Sequence, residues 1–280
     1  MVNLCKNRTL SREIVIFAKN NPLPHFKPMK VALVQFDTLH CAPQANIATI
    51  EQLLAEVECD LVVLPEMFST GYNTNAEAIA EENYGPTRRW MESYAAEHNC
   101  GVVGSVAVRE RGEYRNRLYV CLPDGTTCHY DKRHLFTFAG EDKSFSAGKE
   151  RIVVEWMGVR ILPLVCYDLR FPAWSYLPGA VDLIIYSAAW PAGRIGAWQT
   201  LLPARAIENQ AWVVGVNRLG NDLHNTPHSG HSAAYDYLGH KVADCNEVQR
   251  VEVVEIDPEK CRIFREKFRA WQDADQITIK

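Results

Sequence analysis

Three short segments each place one reactive side chain at the end of an apolar run: LVVLPEMF carries Glu66, YDKRHLF carries Lys132 and ILPLVCYDLRFP carries Cys166. A strand end of this kind lets a rigid sheet hold the reactive group while a loop admits a small molecule. A carboxylate partly desolvated behind Leu61–Leu64 would have a raised pKa, which suits a base that must later act as an acid; a solvent-exposed glutamate closing the strand is the plain alternative. Cys166 stands where an apolar run opens into Tyr167-Asp168-Leu169-Arg170, and a thiol there is either an inert packing residue or a nucleophile. As a nucleophile it needs its pKa lowered by a cation, or a base beside it; Lys132 supplies the cation if the fold brings it close.

The elements that must position these groups alternate along the chain. Val31–Phe36, Leu61–Leu64, Gly101–Val108, Leu118–Leu122, Val159–Val165, Leu183–Ser187 and Trp212–Val216 read as short buried strands bounded by turn formers. Ile47, Ile50, Leu53, Leu54 and Val57 recur at helical spacing, Trp90 and Tyr94 begin a second helix as core or subunit-contact residues, and Trp198–Gln210 forms a third despite Pro203. Strands buried on both faces with helices between them imply a layered α/β fold. Glu247–Ile256 alternates instead, as a half-exposed strand does. Residues 1–28, with the turn-rich NNPLPHFKP, read as an N-terminal extension, and 29–280 as a single domain without repeats or linkers.

A 280-residue chain that is 47% hydrophobic can close a large core, and a net charge of −4 disfavours nucleic acid or an anionic membrane surface as partner. The expected partner is a small molecule. No apolar stretch reaches the roughly 18 residues of a membrane span, and the start of the chain is too broken for a signal peptide. Nine cysteines without a C-x-x-C pair suit a reducing cytoplasm. His224, His228 and His231 in HNTPHSGH lack matching acidic or cysteine ligands, so a polar loop is expected there and no metal.

Taken together and in this order, L-P-E, Y-D-K-R-H-L-F and C-Y-D-L-R-F-P resemble the catalytic segments of the nitrilase superfamily, over about Lys30 to Phe268. Ala173 stands where many members carry a glutamate, and His228 where a tyrosine is common before Gly230 and Ser232. The resemblance implies a four-layer αββα sandwich, a homodimer and no cofactor. It also implies Glu66 as base, Lys132 and the backbone N–H of Tyr167 as oxyanion donors, Cys166 as nucleophile, and Glu141 as a second glutamate orienting Lys132 and the substrate. Arg170 and Asp168, beside the nucleophile, are expected to hold the turn as a charged pair.

The string SAAWPAGRIGAWQTLLPARAIENQ with VGVNRLGND is similar to the omega-amidase branch, whose members hydrolyse 2-oxoglutaramate and 2-oxosuccinamate. On that resemblance Arg194 pairs with the remote substrate carboxylate and Trp190 walls the pocket, against the alternative of a solvated loop arginine. The competing expectations are another amidase of the superfamily, acting on carbamoylated amines or deaminated peptide-like amides, and a non-catalytic scaffold with the same fold.

Overall fold

The structure, a computed structural model, describes residues 13–17, 27–275 and 277–279. Two sheets lie face to face. The first orders its strands Arg250–Ile256, Met29–Gln35, Leu61–Val63, Gly101–Glu110, Glu113–Cys121 and Thr127–Asp131, with the short Glu81–Glu82 beside Gly101–Glu110. The second runs Glu13–Phe17, Arg151–Trp156, Val159–Val165, Leu183–Ala188, Trp212–Asn217, Ala233–Tyr235 and Lys241–Asp244.

The period-two geometry of a strand explains why the apolar runs are continuous rather than alternating. In the first sheet Met29, Val31, Leu33, Leu61, Val63, Val103, Leu118 and Val120 face the second sheet and join its core. Their neighbours Ala32, Val34, Val62, Leu64, Val102, Tyr119 and Cys121 point the other way, onto the helices Pro43–Leu54 and Pro86–His98. The helix Ile195–Asn209 covers the far side of the second sheet with Trp198, Leu202 and Ala206. Its close approach needs Gly215, where an added Cβ would lie 2.7 Å from the Trp198 ring. Helix, sheet, sheet and helix make the expected αββα sandwich.

The anticipated strands form with ends shifted by a few residues, and the alternating strand starts at Arg250. The second helix starts at Pro86, four residues before Trp90, because proline after Gly85 is suited to a first turn that has no N–H partner. The strands Thr127–Asp131 and Arg151–Trp156 and the helix Pro258–Lys267 were not anticipated. Of the N-terminal extension expected over residues 1–28, all but 13–17 and 27–28 lies outside the described residues; Glu13–Phe17 pairs in parallel with Arg151–Glu155 at a sheet edge.

In both sheets the central strands are parallel, so their carboxyl ends gather on one edge, where a crevice opens between connecting loops. Glu66, Cys166 and Trp190 all follow such strand ends, and Lys132 directly follows Thr127–Asp131.

Candidate active site

The four polar side chains expected to act together are brought into one buried cluster. Glu66, Lys132 and Glu141 are at most 1% exposed. Lys132 Nζ donates to Glu66 Oε1 at 2.8 Å and to Glu141 Oε2 and Oε1 at 2.8 and 3.1 Å. The N–H of Ala189 donates to Glu66 Oε2 at 3.0 Å, and that of Phe136 to Glu141 Oε2 at 2.6 Å. Asn116, which the sequence reading passed over, bridges the two carboxylates: its Nδ2 donates to Glu66 Oε1 at 2.7 Å and to Glu141 Oε1 at 3.0 Å.

Cys166 opens a tight 3-10 turn with φ of +43°. A non-glycine residue rarely adopts this conformation, and here it lifts the thiol off the strand end toward Glu66. The turn is held by Asp168, fully buried, which accepts from the Val165 N–H at 3.0 Å. The same carboxylate accepts from the Tyr130 hydroxyl at 2.7 Å, the His134 N–H at 3.0 Å and His134 Nδ1 at 2.8 Å. Tyr130 in turn accepts from the Arg133 N–H and the Trp174 indole. Asp168 therefore fastens the nucleophile's turn to the segment that carries Lys132.

This corrects the expected Asp168–Arg170 ion pair. Asp168 is saturated by Val165, Tyr130 and His134, and Arg170 instead lies over the Trp190 ring, 5.1 Å from its centroid. Arg194 lies 4.7 Å from the Phe138 ring centroid and 5.5 Å from that of Phe136. Among the described residues neither guanidinium meets a carboxylate. Trp190 is buried, its indole donating to the Arg194 carbonyl at 2.9 Å. Asn217, also unanticipated, fixes that loop by accepting from the Trp190 N–H at 2.6 Å and donating to the Gly230 carbonyl at 2.8 Å.

The cluster opens into a narrow pocket lined by Glu66, Tyr72, Lys132, Phe136, Cys166, Tyr167, Arg170, Ala189, Trp190, Pro191 and Arg194. Glu66 is the one acid in the lining.

The charge state follows from the count of charges. One lysine between two carboxylates leaves the cluster at −1, so a thiolate would add a second net negative charge in a site closed to water. Burial and then Glu66 push the Cys166 thiol well above its ordinary range, and the lowering by Lys132 does not offset them. Of the two expected means of activation, a cation or a base beside the thiol, the cluster supplies both, and burial together with Glu66 favours the thiol over the thiolate at rest. Burial raises the Glu66 carboxyl as well, opposed by Lys132. Lys132 stays charged because Glu141 and Glu66 outweigh its own desolvation.

The three histidines do not converge on an ion. His228 is buried, its ring contacting the Thr226 carbonyl at 3.0 Å, and burial pulls its pKa down to about 4. His231 faces Asp244 and Glu247. Among the described residues no three His, Cys, Asp or Glu side chains are grouped to hold a metal, and no helix is long and apolar enough to cross a membrane.

Comparison with known proteins shows the family. An omega-amidase of Yersinia enterocolitica, YafV, is 43% identical over 256 residues, 90% of this chain and 98% of that protein. A 2-oxoglutaramate amidase of Bacillus subtilis is 33% identical over 87% of this chain and 96% of its own length. The crystal structure of XC1258 from Xanthomonas campestris, a CN-hydrolase superfamily protein with an arsenic adduct in its active site, superimposes with a TM-score of 0.87 at 39% identity, covering 91% of this chain and all of that one. The family model for carbon-nitrogen hydrolases matches residues 30–266, and the chain belongs to that family.

Proposed function

We propose that this protein is an omega-amidase that hydrolyses the distal amide of a short 2-oxo dicarboxylic acid, 2-oxoglutaramate or 2-oxosuccinamate, to the acid and ammonia. The observation that carries the reading is the polarity of the pocket: a thiol, a base and a lysine at its floor, and two guanidiniums without carboxylate partners on its walls. A substrate with an amide at one end and a carboxylate at the other matches both. An α-ammonium, as in glutamine, would face two like charges, and the acid in the lining, Glu66, already accepts from Lys132, Asn116 and the Ala189 N–H, so the pocket disfavours the amino acid and accepts the oxo acid.

In this mechanism Glu66 takes the Cys166 proton as sulfur attacks the amide carbon, so the charge moves onto the oxyanion and never rests on sulfur. The oxyanion is met by the Tyr167 N–H and by Lys132, which redirects its longest bond, the 3.1 Å contact to Glu141. Glu66 then gives its proton to the departing nitrogen; ammonia leaves and a thioester remains. A water deprotonated by Glu66 attacks the thioester, and the proton returns to sulfur as the acid is released. Glu141 holds Lys132 in place throughout. A homodimer and a reducing cytoplasm belong to the same reading, the second supported by the eight free cysteines among the described residues.

The test is ammonia release from 2-oxoglutaramate, glutamine and a neutral aliphatic amide by the wild type and Arg194→Ala. Loss of a guanidinium–carboxylate pair, about 1.5–3 kcal/mol, should lower kcat/KM for the oxo-acid amide about 10- to 100-fold. The neutral amide should be little affected. Preference for glutamine, or equal losses on both amides, would remove the substrate reading while leaving the catalytic cluster intact.

A further inference from the structure

Tyr72 stands half-buried in the pocket wall, its ring 5.8 Å from Lys132 Nζ, and its buried hydroxyl has no hydrogen-bond partner. A buried hydroxyl left in this way costs free energy unless a ligand satisfies it. The charges that act on it most are Glu141, Lys132, Glu66 and Cys166, which places the hydroxyl at the reacting end of the pocket.

At that end the carboxylate acceptors are already engaged. Each carboxylate offers about four lone-pair sites. Those of Glu66 receive Lys132, Asn116, the Ala189 N–H and the Cys166 thiol. Those of Glu141 receive Lys132 twice, Asn116 and the Phe136 N–H. The Ala188 carbonyl accepts from the Glu66 N–H at 3.3 Å. Asn116 Oδ1 also lacks a partner, but Asn116 is not part of the pocket wall. An entering primary amide brings two N–H donors into this place, and Tyr72 presents an unpartnered acceptor for one of them.

We infer that the Tyr72 hydroxyl accepts a hydrogen bond from the amide nitrogen of the substrate and holds it through the tetrahedral intermediate, so that Tyr72 selects an NH2 leaving group over an alkoxy one. An ester of the same acid has no N–H to offer, and Tyr72 contributes nothing to its cleavage. Burial keeps the phenol neutral, so the oxygen remains a hydroxyl throughout the working range. The inference rests on Cys166 as nucleophile but not on the identity of the acid.

The experiment compares wild type and Tyr72→Phe on two substrates: the primary amide the wild type hydrolyses fastest, and the methyl ester of the same acid. Phenylalanine keeps the ring, and a thermal melt confirms that the fold is kept. The amide should lose about tenfold in kcat/KM, the equivalent of one ordinary hydrogen bond, while ester cleavage stays within twofold. Equal losses on both substrates would assign Tyr72 a merely structural role and overturn the inference, as would no loss on either. Cys166→Ala runs alongside: full turnover by that variant would remove the nucleophile reading and this inference with it, whereas a dead Cys166→Ala with a substrate-blind Tyr72→Phe removes this inference alone.

Discussion

Replacing Asp168 by asparagine tests how the nucleophile's turn is held, because the side chain keeps its shape and loses one acceptor. The new NH2 can point to either side of the carboxyl plane. On one side it would meet the Val165 N–H and the Tyr130 hydroxyl, and Tyr130 already accepts from Arg133 and Trp174 and has no lone pair left. The amide therefore turns toward His134, where Nδ1 can change tautomer and accept, but the His134 N–H, bonded at 3.0 Å in the native chain, loses its acceptor. One orphaned N–H costs about 1–3 kcal/mol, and the remaining bonds weaken as they lose the carboxylate charge. The sum is about 3 kcal/mol, which lowers the melting temperature by about 6 °C or more in a chain of this size. Calorimetry on wild type and Asp168→Asn reads the shift directly, and ammonia release should fall with it as the positive-φ turn at Cys166 loosens. A variant that melts within 1 °C of wild type and keeps its kcat would refute the role assigned to Asp168.

Other consequences follow from the same contacts. Asn116→Ala removes an N–H shared by Glu66 and Glu141, so protonation of Glu66 becomes easier; kcat/KM should drop about tenfold at neutral pH and its acid limb should move to higher pH in a stopped assay. In the wild type that limb, where protonated Glu66 can no longer accept the thiol proton, should lie above the ordinary glutamate range, because burial raises the group. A limb at the ordinary position would show Glu66 to be solvated. Asp182, buried among Arg160, Arg262 and Arg265, has its carboxyl held below the usual range by their hydrogen bonds against its own desolvation. Its folded pKa is lower than its unfolded one, near 3.9, so its stabilisation is complete above that value and fades as pH falls below it. Asp182→Asn should cost about 3 kcal/mol at pH 7, and the gap between the two melting temperatures should narrow below about pH 4.

The sequence made the layered fold legible because its strands are buried on both faces: Val31 and Val34, or Val62 and Val63, serve different cores, and continuous apolar runs are what that requires. The strand Thr127–Asp131 escaped notice because its TCHYD mixes polar residues with small ones. The helix Pro258–Lys267 carried a readable signal in Asp257-Pro258, where the aspartate side chain caps the Glu259 and Lys260 N–H groups. In the site, the charged members could be named from their motifs, but their protonation could not. The thiol's state depends on how many charges share one buried space, and the chain order of Glu66, Lys132, Glu141 and Cys166 does not reveal that. Asn116 and Asn217 were missed for a related reason, since a neutral amide within a strand gives no sign of the carboxylate or loop it will meet. Arg170 was misread because its neighbour in sequence, Asp168, spends its acceptors on Tyr130 and His134 instead.

The most direct test of the account is intact and peptide mass analysis of the protein quenched in acid during turnover of 2-oxoglutaramate. The account predicts an acyl group on the peptide that contains Cys166, absent from Cys166→Ala, which should also release no ammonia. An acyl group on a different cysteine, or turnover that survives Cys166→Ala, would contradict it.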